Sequence, residues 1–192
     1  MLRPDLAPFD VFLADAMLLP AAEFVRRHPW PVLVIPEPDW AKIQRLSRPE
    51  TLGASGPSAL ELIDPRSPTA SAASLDALCL PLRPKNGEAF DRISIGRAED
   101  GDVILIDETI SKLHAELSWN PEAERCFLTD LGSRNGTTVD GERLGPRTPV
   151  ELMPGAPVVF GSLVTRYYAP RAFYTWLAGG AQRLGAPPRS RS

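Results

Sequence analysis

The chain has few of the residues that usually carry redox, metal or acid–base chemistry. Its 192 residues include two cysteines and two histidines. Cys79 and Cys126 each sit in an apolar run, and neither their number nor their spacing fits a zinc site or a disulfide framework. They read as small buried hydrophobes. His28 lies beside Pro29, and no serine or cysteine is placed to pair with either histidine as a nucleophile. Glycines are scattered, with no phosphate-cradling nucleotide loop. No run of about 18 apolar residues occurs, so no transmembrane helix is expected. An apolar stretch near the start is interrupted by Asp10 and Asp15, which a secretory signal would avoid, and the chain reads as cytoplasmic. Basic excess is also missing: 21 Lys and Arg face 24 Asp and Glu, a net charge of −3. Without a basic stripe, the charge balance argues against nucleic acid or acidic membrane as a partner. The composition points to no enzyme, no cofactor and no metal.

Proline, by contrast, is plentiful at 21 residues, about twice the usual share of roughly 5%. So much proline disfavours an all-helical protein and favours loops, edges and linkers. The length suits one well-cored domain with extensions. Residues 1–45 carry two helical patterns, Phe9–Leu19 and Pro20–His28, followed by an extended segment, Trp30–Ile35, whose flanking prolines suggest a sheet edge. Phe12, Phe24 and Trp30 are expected to pack inward, since exposed they would favour aggregation. Residues 46–75 read as a Pro/Ser/Ala-rich linker with one apolar patch, Ala59–Ile63. Residues 76–170 switch to a period of two. Strands are predicted at Ala77–Leu82, Arg92–Ile95, Val103–Ile106, His114–Trp119, Cys126–Thr129, Thr137–Val139, Val150–Leu152, Val158–Phe160 and Leu163–Tyr168. Gly101-Asp102, Asp140-Gly141 and Pro154-Gly155 punctuate them as tight turns. Many short strands with regular turns predict a mainly β chain, a β-sandwich. Within 171–192, Arg171–Arg183 has a helical pattern that Gly179-Gly180 weakens, and a disordered tail is expected to follow.

Three short patches lie in order where predicted strands begin or end: Gly96-Arg97, Ser111-Lys112-Leu113-His114, and Ser133-Arg134-Asn135-Gly136-Thr137. Each alone is a weak signal. A Gly-Arg step is commonly a turn, Ser-x-x-His is commonly structural, and Asn-Gly is a strong hairpin signal. Their order and strand context make them one set. Arg97 supplies fixed, always-charged donors, Ser111 a hydroxyl, and Asn135 an amide that can donate and accept at once.

This set resembles the forkhead-associated domain family, over roughly Ala77 to Tyr168. The resemblance implies a β-sandwich of two antiparallel sheets, here with short helical N-terminal and C-terminal extensions. It implies that the loops bind phosphothreonine in a partner protein, as bacterial members do for a Ser/Thr kinase or its substrate. On that resemblance Arg97 and Ser111 contact the phosphate, and Asn135 holds the peptide backbone. Arg134 and Lys112 are further candidate contacts. His114 braces the loops, while Gly96 and Gly136 serve backbone geometry. Asp100, Asp102 and Asp107 lie near the loops, where family members carry acidic residues without a metal. The chain is expected to be a monomeric adaptor that does no chemistry. The alternative is a structural interaction module that binds its partner without phosphate. A weaker idea is self-regulation through phosphorylation of Thr51 or Thr69.

Overall fold

The computed structural model describes residues 7–36, 77–85 and 92–184. The 46–75 linker with Ala59–Ile63, Thr51 and Thr69 lies outside the described residues, as does the tail from 185. In chain order the elements are β1 (Ala7–Pro8), α1 (Phe9–Leu18), α2 (Ala21–Arg27), β2 (Val32–Ile35), β3 (Leu78–Pro81) and β4 (Ile93–Gly96). There follow β5 (Val103–Ile104), β6 (Ala115–Asn120), β7 (Arg125–Asp130), β8 (Thr137–Val139) and β9 (Glu142–Arg143). The last are β10 (Pro149–Glu151), β11 (Pro157–Phe160), β12 (Leu163–Tyr168) and the C-terminal helix, here α3 (Pro170–Leu184).

The strands form two sheets, one ordered β1-β3-β2-β12-β11-β8-β9 and the other β10-β7-β6-β4-β5. Pairing is antiparallel throughout except for β4 and β5, a short parallel pair. Alternation in the sequence explains how they stack. In β6, Ala115, Leu117 and Trp119 point inward; in β7, Cys126, Leu128 and Asp130 do the same. Opposite them come Leu33, Leu80, Val158, Phe160 and Tyr167, so one apolar core fills the space between the sheets. Both cysteines are buried and unpaired by disulfide, and burial pushes each thiol pKa up to about 12.

The segment expected at a sheet edge is instead interior. β2 pairs with β3 on one side and β12 on the other. Both prolines precede the strand, so they remove no donor from its ladder, and the Pro31 carbonyl accepts the Leu82 N–H at 2.7 Å. All four β2 residues are buried, as a strand covered on both faces requires. Leu33 and Ile35 enter the inter-sheet core, while Val32 and Val34 face a second core beneath the helices.

That second core is built from both ends of the chain. Phe9 and Phe12 of α1, Phe24 of α2, and Phe173 and Leu177 of α3 cover the outer face of the larger sheet. Trp30 packs against the main core. Gly179 and Gly180 lie within α3 rather than ending it. Each glycine costs about 1 kcal/mol relative to alanine. Burying Phe173 and Leu177 contributes about 1.5–3 kcal/mol apiece, which outweighs that cost.

The topology gathers loops at one end of the sandwich. The β4–β5, β5–β6 and β7–β8 loops and the β11–β12 turn meet there, linked by backbone bonds such as Gly161 N–H to the Gly136 carbonyl at 3.0 Å.

Candidate recognition loops

The first two patches are joined by main chain. Arg97 N–H donates to the Ser111 carbonyl at 2.9 Å, Ala98 N–H to the Lys112 carbonyl at 3.0 Å, and His114 N–H to the Ile95 carbonyl at 2.9 Å. The approach is close enough that a Cβ on Gly96 would land on the Lys112 carbonyl oxygen, so only glycine fits. The Arg97 side chain is exposed but directed: its Nε donates to the Ile110 carbonyl at 3.2 Å. Among the described residues its terminal nitrogens carry no side-chain bond, leaving the outer half of the fork for a ligand.

Ser111 connects to the third patch. Its Oγ accepts the backbone N–H of Arg134 at 3.0 Å. A hydroxyl that accepts still has its own proton to give, so Ser111 offers a donor at the rim. Asn135 donates through Nδ2 to the Thr109 carbonyl at 2.7 Å, which fixes its amide while its second N–H and its oxygen stay open on the exposed rim. Lys112 and Arg134 are exposed beside these groups. All three sequence patches therefore meet in one place.

His114 is fully buried at the centre of that junction. Its Nδ1 lies 3.1 Å from the Ser111 N–H, and a backbone N–H can only donate, so Nδ1 accepts. The proton then sits on Nε2, which donates to the Gly136 carbonyl at 3.2 Å. Burial pushes the imidazole pKa below the ordinary histidine range, against the Gly136 carbonyl and the Asp130 charge, which pull it upward. A second proton on Nδ1 would also face the Ser111 N–H, donor against donor. One neutral tautomer thus ties the second patch to the third.

Sequence reasoning assigned no role to the residue that shapes the third loop. Asp130 is buried at the end of β7, and its carboxylate takes four donors. Oδ1 accepts the Gly132 and Ser133 N–H groups, both at 2.8 Å; Oδ2 accepts the Ser133 and Thr137 hydroxyls, both at 2.7 Å. Burial by itself would raise the Asp130 pKa, but these donors together outweigh it and hold the carboxyl below its usual range. Ser133 Oγ in turn accepts the Gly136 N–H at 2.9 Å, which closes the turn that presents Arg134 and Asn135. The signal in the sequence was an aspartate at an inward position of an alternating strand, followed by Gly-Ser.

Two other acidic residues also act as braces. Asp107 accepts the Thr109 N–H and hydroxyl at 2.8 and 2.6 Å, and thereby shapes the loop whose carbonyl holds Asn135. Asp102 accepts the Ser94 N–H and hydroxyl and the Lys85 N–H. Burial would raise its pKa; the Ser94 and Lys85 donors and the Lys85 charge bring it below the ordinary value instead. Among the described residues no group of three His, Cys, Asp or Glu side chains is placed to hold a metal ion. No described helix is long and apolar enough to cross a membrane.

The described sandwich presents its exposed Arg97, Lys112, Arg134 and Asn135 side chains on braced turns at one end. Residues 93–161 match the family model of the FHA (forkhead-associated) domain, and the chain contains a domain of that family. FHA domain-containing protein FhaB of Mycolicibacterium smegmatis is 40% identical over 72 residues, which cover 38% of this chain and 44% of that protein. A solved FHA domain studied for phosphothreonine-dependent interactions is 27% identical, covering 47% of this chain and 82% of its own at a TM-score of 0.39. EmbR of Mycobacterium tuberculosis, solved with a low affinity phosphopeptide, is 26% identical, covering 41% of this chain and 20% of its own at a TM-score of 0.37. This chain spans less than half the length of the curated relatives it matches.

Proposed function

We propose that this chain is a phosphothreonine-dependent binding module that docks on a protein marked by a Ser/Thr kinase, either the kinase or its substrate. The observation that carries this reading is the rim itself: the open half of the Arg97 guanidinium and the spare proton of Ser111 lie on loops bonded to each other, with the fixed Asn135 amide beside them. A phosphothreonine brings about −1.5 to −2 charges and three acceptor oxygens. Arg97 and Ser111 supply donors for those oxygens, and Asn135 holds the peptide main chain. Lys112 and Arg134 add positive charge at the edge. Gly96, His114 and Gly136 keep the loops in register.

In this reading the chain does no chemistry and needs no cofactor. It works in the cytoplasm as a monomer whose folded unit combines the 76–170 sandwich with flanking segments of 1–45 and 171–192. Pull-downs from lysate with wild type and Arg97→Ala, each before and after phosphatase treatment, test it. A partner retained by wild type only while phosphorylated, and lost by Arg97→Ala, is the expected result. A partner retained equally after phosphatase would favour a phosphate-independent scaffold and overturn the reading.

A further inference from the structure

A fourth cation stands against the recognition loops, on an element that none of the three patches includes. The Asp140-Gly141 turn has φ of 51° and 83°, the left-handed pair that folds β9 back on β8. The hairpin register sets Arg143 opposite Thr138, and Leu144 N–H donates to the Thr137 carbonyl at 2.9 Å, with Leu144 buried behind it. From this anchored backbone the Arg143 guanidinium reaches back over Gly136. A Cβ at Gly136 would land on that guanidinium. The glycine at this position therefore does two things: it takes a φ of +82°, and it leaves room for a cation next to Asn135. Arg143 is exposed, and among the described residues its guanidinium makes no hydrogen bond or ion pair, including with Asp140 and Glu142 of its own hairpin.

We infer that Arg143 is a specificity-determining residue, which selects partners carrying an anionic side chain near the phosphothreonine, on the Asn135 side of the site. This rests on the phosphothreonine reading and adds to it which flanking sequence is preferred. Gly136 follows Asn135 directly and is buried under the exposed Arg143 guanidinium, so a peptide held by Asn135 and extending away from Arg97 meets the guanidinium itself. Arginine suits either a carboxylate or a second phosphoryl group, because both match its planar fork. The shared chemistry is a compact oxyanion on the peptide, a few residues from the phosphothreonine.

The test uses the full chain and a phosphothreonine peptide with neutral flanks as reference. Sister peptides carry Asp, Glu or phosphoserine at one flanking position at a time, and anisotropy reads affinity for wild type, Arg143→Gln and Arg143→Lys. At one or two positions on one side, wild type should bind the anionic peptide at least about threefold more tightly than the reference, the scale of an exposed ion pair. Arg143→Gln should lose that preference while holding the reference within twofold, and Arg143→Lys should keep part of it. A larger gain with phosphoserine than with Asp or Glu would identify a second phosphate as the natural source. Absence of any preferred position, or its survival in Arg143→Gln, overturns the inference. So does equal weakening of the reference peptide in Arg143→Gln, which would make Arg143 a brace for Gly136 only. Failure of wild type to bind even the reference overturns the phosphothreonine reading itself, and the reference arm tells the two failures apart.

Discussion

Ser111→Ala removes a hydroxyl whose oxygen accepts the Arg134 N–H at 3.0 Å and whose proton is left for a ligand. The two consequences differ in size. A hydrogen bond to a charged phosphate contributes about 1.5–3 kcal/mol, so phosphopeptide affinity should fall about 10- to 150-fold. On the folding side, Arg134 is exposed, and water can take over its N–H. The stability loss is then at most about 0.5–1.5 kcal/mol. In a domain of this length each kcal/mol moves the melting temperature by about 2–4 °C, so a shift of about 1–6 °C is expected. Titration calorimetry with one phosphothreonine peptide, beside a thermal melt of the same samples, measures both. Affinity within twofold of wild type in a variant that melts normally would refute the donor role of Ser111. A collapse of the melt by much more than this range would instead make Ser111 a structural residue.

The other predictions concern the braces. Asp130→Ala deprives four buried or part-buried donors of their acceptor and should cost about 3 kcal/mol or more of unfolding free energy by denaturant titration, with peptide binding weakened as the Asn135 loop loosens. His114 holds its pKa below the unfolded value, so its contribution is complete above about pH 6.5 and is lost as pH falls, because the unfolded chain then binds a proton that the native state resists. Asp130, also depressed, adds a further loss below about pH 4. Denaturant midpoints measured from pH 8 to pH 3 should show a decline below neutrality that is shallower in His114→Gln; an identical slope in that variant would contradict the assignment. Gly96→Ala places a methyl on the Lys112 carbonyl and should abolish peptide binding while lowering stability. Gly132→Ala, with φ of +86° and open space around its Cβ, should cost only about 1 kcal/mol.

The parts of the site legible in the sequence are those whose chemistry is local. Asp140-Gly141 specifies its own hairpin, and the spacing of Arg97, Ser111 and Asn135 against alternating strands shows that all three sit on loops. What was hidden depends on partners far along the chain. The interior place of β2 follows from pairing with β3, more than forty residues away, and with β12 near the end. Prolines just before the strand looked like edge markers only because their position relative to the first ladder bond cannot be read locally. The alternation of β7 turns Asp130 inward, but the four donors it takes come from the turn beyond the strand and from Thr137, and Arg143 reads as a solvated hairpin cation until it is found over Gly136. Gly179 and Gly180 weaken α3 by propensity, but the aromatic face that overrides them is buried against residues from the other end of the chain.

Recognition of a phosphate by Arg97 and Ser111 is tested most directly by calorimetry with one peptide in two forms. The threonine and phosphothreonine versions are titrated into wild type and into Arg97→Ala. Wild type should bind the phosphorylated peptide at least about tenfold more tightly, roughly 1.4 kcal/mol, and Arg97→Ala should lose most of that difference while remaining folded. Equal affinity of wild type for the two peptides, after a phosphorylated partner sequence has been captured by pull-down, would show that Arg97 and Ser111 do not recognise phosphate.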